Sequence, residues 1–209
     1  MLIIGMTGPS GAGKSVISSL FARYGVPSIN TDEVYHDLLV PPSVCLDELV
    51  EHFGKAILAE DGRLDRAALA ARVFAPGAEA ELASLNAITH RHVLTEVRVR
   101  CASFASDGVS AVVVDAPQLY ESGFDAECDR VLAVLAPPDV RLSRIMRRDG
   151  LTLSAATARL RAQKPDGFFI ARADAVIDND GEQSSGDGLA RLDTEVRRLL
   201  TLWEVPYAL

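Results

Sequence analysis

The residues best suited to chemistry stand near the start of the chain. Gly8-Pro9-Ser10-Gly11-Ala12-Gly13-Lys14-Ser15 fits G-x-x-x-x-G-K-[ST], after the apolar run Leu2 to Met6 and before a helical pattern through Val16, Ile17, Leu20 and Phe21. In such a loop, glycines let backbone N–H groups converge on phosphate oxygens, and the helix N-terminus adds a positive dipole. Lys14 would reach the outer phosphates of a bound nucleotide, and the Ser15 hydroxyl is placed to ligate Mg²⁺. The motif implies nucleotide binding but does not choose among kinases, GTPases and ATP-driven machines.

Two acids and one basic stretch narrow the chemistry. Asp32 follows the strand-like run Val26 to Ile29, at the edge where open α/β sheets bind ligands. It either takes the proton of an acceptor hydroxyl during phosphoryl transfer or caps the helix Glu33 to Leu39. Asp115 ends Val112-Val113-Val114, where an acid holds Mg²⁺ through water; the alternative is a turn residue before Pro117. Arg141 to Lys164 contains seven cationic residues and a single acid, Asp149. Arg141, Arg144 and Arg148 fall at i, i+3 and i+7, one helical face, with Leu142, Ile145 and Met146 on the apolar side. Such a face suits a lid that closes over ATP and meets the charge of the transition state. His36, His52, His90 and His92 form no ligand cluster and read as structural.

The elements that must position these groups are legible as short β-branched runs alternating with helices. Leu2 to Met6, Val26 to Ile29, Val109 to Val114, Arg130 to Leu135 and Ala175 to Ile177 read as strands apolar on both faces, the mark of a parallel sheet covered by helices. Residues 34–104 read as helical throughout, an inserted lobe with Leu46, Leu49, Val50 and Phe53 at helical spacing. Residues 139–172 form the lid, Gly181 to Gly188 a surface loop, and Leu192, Val196, Leu199 and Leu200 mark a closing helix.

Composition excludes several classes. The 209 residues suit one body of linked lobes, and 21 basic against 29 acidic side chains leave a net charge of −8. That balance argues against a nucleic-acid-coating protein. No apolar run reaches the roughly 18 residues of a membrane span and no secretory signal opens the chain, so a cytoplasmic protein without membrane contact is expected. Three scattered cysteines suggest buried free thiols rather than a disulfide framework or zinc site.

Several separate segments together resemble the dephospho-coenzyme A kinase family, and the resemblance spans nearly the whole chain. Ile4-Gly5-Met6-Thr7-Gly8 with the glycine loop is similar to I-G-L-T-G-G-I-G-S-G-K-S, and Ile29-Asn30-Thr31-Asp32 to I-D-A-D. His52-Phe53-Gly54, Asp61-Gly62-Arg63-Leu64-Asp65-Arg66 and Val73-Phe74 resemble H-F-G, D-G-x-L-D-R and V-F. Pro117 to Glu121, Asp129-Arg130-Val131, Arg148-Asp149-Gly150, Ala162-Gln163 and Ala173 to Asn179 resemble P-L-L-F-E, D-R-V, R-D-G, A-Q and A-D-x-V-I-D-N. The departures are Pro9, Ser10, Asn30, Gln118, Arg91 after His90, and Phe168-Phe169 in a stretch that is usually basic, with Arg172 near enough to substitute.

The resemblance implies an α/β, three-layer fold of the P-loop NTPase type, with a parallel five-stranded sheet, the 34–104 lobe for the coenzyme's pantetheine arm, and the lid. It implies that Gly11, Ala12, Gly13, Lys14, Ser15 and Val16 bind ATP phosphates, joined by Arg141 and Arg144 of the lid. Asp32 would then be the catalytic carboxylate, with Lys14 and Arg148 beside it, and Ser15 and Asp115 would serve Mg²⁺. The substrate would be 3′-dephospho-CoA, with no obligate protein partner. Another small-molecule kinase, such as guanylate kinase, and a nucleotide-controlled switch are the alternatives. The D-G-R-L-D-R and A-D-A-V-I-D-N segments speak against the first, and the lack of N-K-x-D against the second.

Overall fold

β1 (Leu2–Thr7) occupies the middle of a five-stranded sheet, where its Ile4 and Met6 are fully buried. The computed structural model describes residues 1–180 and 186–207. The remaining elements in chain order are α1 (Lys14–Arg23), β2 (Ser28–Asn30), α2 (Thr31–Asp37), α3 (Val44–Phe53), α4 (Arg66–Val73), α5 (Glu79–Ser106), β3 (Ala111–Asp115), β4 (Arg130–Leu135), α6 (Pro138–Asp149), α7 (Leu153–Arg161), α8 (Asp166–Ile170), β5 (Ala175–Asp178) and α9 (Gly186–Leu202). The sheet order is β2-β3-β1-β4-β5, and β1 pairs in parallel with both β3 and β4. In the β1–β3 register Met6 stands opposite Asp115, and in the β4–β5 register Leu135 stands opposite Asp178. This is the α/β parallel-sheet class that the apolar strands demand.

The chain divides into two compact units, one of residues 1–29 and 101–209, the other of residues 30–100. In the first, Ile17, Leu20 and Phe21 of α1 and Leu192, Val196, Leu199 and Leu200 of α9 pack with Ile4, Met6, Val113, Leu132 and Val134 of the sheet. In the second, Leu39, Cys45, Leu49, Phe53, Ile57, Leu69, Val73 and Ile88 form a separate core. Among the described residues, no helix is long and apolar enough to cross a membrane.

Three sequence expectations change. β2 and β3 begin later than Val26 and Val109, because each valine follows a helix-ending glycine and donates its N–H back into that helix, Val26 to Phe21 O and Val109 to Phe104 O. A hydrophobic residue after a helix-terminating glycine thus mimics a strand start. The inserted region is not helical throughout: a 3₁₀ turn at Lys55–Ile57 and a Leu58–Leu64 β-bridge interrupt it. The compact unit that contains most of it spans residues 30–100. Of the expected surface loop, residues 186–188 instead open α9, and 181–185 lie outside the described residues.

Candidate active site

The glycine loop is shaped by what packs on it as well as by what it would bind. A side chain at Gly8 would meet Val134 O at 2.1 Å, and one at Gly11 would meet Arg141 O at 2.8 Å. Both residues have φ in the left-handed range, so backbone conformation and close approach demand glycine together. α1 then starts from Gly13 without a side-chain cap and without an acid in its first turn, which leaves its positive end available to an anion.

Lys14 and Asp115 meet where β1 and β3 end. Lys14 Nζ lies 3.8 Å from Asp115 Oδ1 and donates to Gly8 O at 3.4 Å. Asp115 is only 8% exposed, so this carboxylate needs a cation beside it. Ser15 is exposed on the first turn of α1.

The three arginines of α6 differ in environment. Arg141 is not solvent-facing: it is 5% exposed, and its Nη2 pairs with Asp166 at 3.4 Å. Arg144 donates from Nη1 to Gly11 O (3.2 Å) and Ala12 O (3.3 Å), and from Nη2 to Asn179 Oδ1 (3.2 Å). Burial first, and then the charge of Arg147, lower its pKa from the usual arginine value. Arg148 forks onto Asp149, at 2.7 and 3.0 Å, and reaches Ser10 Oγ at 3.2 Å. These bonds hold the Asp149 carboxyl below the ordinary carboxylate range, and Arg159 adds a third contact at 2.7 Å. Of the apolar face, Ile145 is buried, whereas Leu142 and Met146 are half-buried at a shallow surface depression.

Two amides that the motifs contain without a stated role complete the loop's support. Asn179, 1% exposed after β5, donates from Nδ2 to Ala12 O at 2.8 Å while accepting from Arg144. Gln163 Oε1 accepts the Ser10 N–H at 2.9 Å. For Asn179 the readable signal is a polar residue directly after a strand, which has to find partners when buried; Gln163, after α7, carries no such signal. Phe168 and Phe169 pack edge-on, and Phe168 also meets Tyr120 edge-on. Arg172 stacks 4.1 Å from the Phe168 ring centre, so its guanidinium covers the aromatic departure.

Asp32 belongs to the other unit, as the second residue of α2. It does not cap the helix: Asn30 does, its Oδ1 accepting from the N–H groups of Asp32 (2.9 Å) and Glu33 (3.4 Å). Asn30 is therefore a competent cap of α2. The Asp32 side chain is exposed, and among the described residues no hydrogen bond occupies its carboxylate.

The histidines are held by neighbours. His92 Nε2 lies 2.7 Å from Glu48, His52 3.7 Å from Glu81, and His36 Nδ1 2.6 Å from Arg66. No group of three or more His, Cys, Asp or Glu able to hold a metal occurs among the described residues.

Comparison with known proteins shows the family. The family model described as dephospho-CoA kinase matches residues 2–185. A dephospho-CoA kinase of Anaeromyxobacter dehalogenans is 42% identical over 94% of this chain and 93% of its own, and one of Carboxydothermus hydrogenoformans 38% identical over 88% of each. Among solved structures, a Thermus thermophilus protein superposes with a TM-score of 0.77 at 31% identity, over 98% of each chain. The dephospho-CoA kinase of Campylobacter jejuni, at 24% identity, shares the fold with a TM-score of 0.69 over 97% of this chain and 98% of its own. A phosphate loop in register with its strand and helix, the capped Asp32 turn and a match over most of the sequence agree: the chain belongs to the dephospho-CoA kinase family.

Proposed function

We propose that this protein transfers the γ-phosphoryl group of ATP to the ribose 3′-hydroxyl of 3′-dephospho-CoA, giving coenzyme A and ADP in the last step of coenzyme A biosynthesis. The observation that carries the reading is the loop itself, with Lys14 Nζ between Gly8 O and the buried Asp115, inside a chain matched by the family model over residues 2–185. Neither a guanylate-type kinase nor a nucleotide switch is favoured by that match.

In this reaction the N–H groups from Gly11 to Val16 hold the phosphates, and Lys14 neutralises charge on the outer ones. Asp32 orients the acceptor hydroxyl and takes its proton as the bond to phosphorus forms. Arg148 and Arg141 belong to the lid of residues 139–172, and Arg144 fixes the loop carbonyls so that the N–H groups opposite stay convergent. Arg148 exchanges Asp149 for phosphate oxygen on closure. The 34–104 region serves the acceptor. Ser15 and Asp115 suit Mg²⁺, which prefers water and phosphate oxygens around one or two protein donors over a dense protein cage. Bound there, the ion would neutralise the phosphate oxygens during transfer. We place the reaction in the cytoplasm, where ATP is supplied.

A coupled assay for ADP release with dephospho-CoA, with GMP and with no acceptor separates the three readings. Release that depends on dephospho-CoA is expected; equal release without acceptor, or preference for GMP, would overturn the proposal.

A further inference from the structure

Arg141 occupies a seat that its neighbours satisfy only in part. It is 5% exposed, and among the described residues its Nε and Nη1 have no hydrogen-bond partner. Asp166 Oδ1 supplies the opposite charge 3.4 Å from Nη2, and that oxygen is itself buried and accepts no hydrogen bond. A guanidinium has five N–H donors, and a buried donor without an acceptor costs free energy. The pair therefore balances charge while leaving donors that a second anion could meet.

The two partners are held from different sides. Arg141 stands against the phosphate loop: a side chain at Gly11 would come within 2.8 Å of its O, 3.0 Å of its Cα and 3.1 Å of its Cβ. Asp166 opens α8, which Pro165 enters at φ −69° and which the Phe168 N–H closes onto Pro165 O at 2.9 Å. Phe169 of α8 is buried on Ala133 and Leu135 of β4, so the helix is tied to the sheet. Gln163, three residues before Asp166, accepts the Ser10 N–H at 2.9 Å, which ties the same segment to the loop. Lys164 and Arg172, the cations that flank α8, lie over the Phe168 ring at 5.3 and 4.1 Å, and α8 itself contains no base. Asp166 is thus a carboxylate on a short, anchored arm, and Arg141 is the long side chain that can turn between it and a ligand of the loop.

We infer that Asp166 is a positioning residue that competes with nucleotide phosphate for Arg141. Asp166 keeps the guanidinium folded into its seat beside the loop, and a phosphate oxygen of ATP replaces it as counter-ion while meeting the donors that Asp166 leaves unpaired. The exchange swaps one anion for another, so ATP gains less from Arg141 than it would from a guanidinium with no carboxylate beside it. The inference rests on the proposed function, in which Arg141 serves the lid, and deepens it by naming the residue that tempers nucleotide affinity. A purely structural pair predicts a different sign: without Asp166 the guanidinium would stray, and ATP would bind no better.

The test is calorimetric titration of ATP with Mg²⁺, without acceptor, into wild type, Asp166→Asn, Asp166→Glu, Arg141→Ala and the double variant, each first checked by circular dichroism. Asp166→Asn should bind ATP about three- to tenfold more tightly, a modest gain because the Asp166 side chain is 38% exposed. Asp166→Glu keeps the charge and should stay within about twofold of wild type. Without nucleotide Asp166→Asn should melt below wild type, because a buried cation loses its partner, and saturating ATP should narrow that difference. In the Arg141→Ala background, Asp166→Asn should change the Kd by less than about twofold, since the competition has lost its object. A Kd for Asp166→Asn equal to or weaker than that of wild type overturns the inference, and so does a gain that persists without Arg141. If Arg141→Ala misfolds, the contrast of Asp166→Asn with Asp166→Glu decides by itself. If wild type binds ATP but does not phosphorylate dephospho-CoA, the proposed function falls while the titration still decides Asp166; if it binds no ATP, both fall.

Discussion

Asn179→Ala should loosen the phosphate loop without touching a substrate. The wild-type amide is 1% exposed and makes two bonds, Nδ2 to Ala12 O at 2.8 Å and Oδ1 from Arg144 Nη2 at 3.2 Å. A neutral hydrogen bond contributes about 1 kcal/mol net and one to a charged group about 1.5–3 kcal/mol. Ala12 O keeps its 3.3 Å contact with Arg144 Nη1, which limits the penalty of the truncation. The balance is a loss of about 3 kcal/mol, or roughly 6–12 °C in melting temperature for a chain of this size. The same change lets the Ala12–Gly13 peptide drift, so the KM for ATP should rise about tenfold, the effect of one lost contact of 1.4 kcal/mol, while the KM for dephospho-CoA stays put. Asn179→Asp keeps the acceptor for Arg144 but sets a carboxylate against the Ala12 carbonyl, and should weaken ATP binding at least as much. Calorimetry and steady-state kinetics on both variants check this. A melting temperature within about 1 °C of wild type together with an unchanged KM for ATP would refute the bracket of Asn179 and Arg144 as a support of the loop.

Three further outcomes follow from the site. Asp32→Asn should lower kcat with dephospho-CoA by roughly 10²- to 10⁴-fold with little change in ATP affinity or melting temperature, since Asn30 does the capping; a fall below about threefold would return Asp32 to a surface residue. Lys14→Ala should abolish phosphoryl transfer and also lower thermal stability, because it strips the cation 3.8 Å from the buried Asp115; near-wild-type turnover would sink the assignment. Burial pushes Cys45 up to about 11 and Cys128 up to about 12, the latter helped by Asp125, Glu127 and Asp129, and Cys101 is also raised by burial. Thiolate therefore accumulates only well above neutral pH, and iodoacetamide at pH 8 should label the native protein slowly and all three thiols once it is unfolded in urea; rapid native labelling would contradict the burial.

How far the sequence could be read depended on how local each signal was. Strands buried on both faces are contiguous apolar runs, so β1 and β4 were legible nearly to their ends. Val26 and Val109 misled because a residue that closes a helix past its terminal glycine has the same composition as a strand start. The loop motif and the arginine spacing on α6 were visible, since both live on one stretch of chain. Most of what Arg141, Arg144 and Arg148 bond to was not visible: Asp166, Asn179 and Ser10 come from distant segments, about which periodicity carries no information, whereas Asp149, next to Arg148, is local. Asn30 shows the same limit, because it reads as a departure from the family acid, yet its geometry makes it the cap that frees Asp32.

The central claim is that the 3′-hydroxyl of dephospho-CoA receives the γ-phosphoryl group. Phosphorus NMR of the purified product, after incubation of the wild-type protein with ATP, Mg²⁺ and dephospho-CoA, tests it most directly. The account predicts one new 3′-phosphomonoester resonance, formed in equal amount with ADP and absent without the acceptor. Inorganic phosphate as the main product, or a phosphomonoester on any other oxygen, would contradict it.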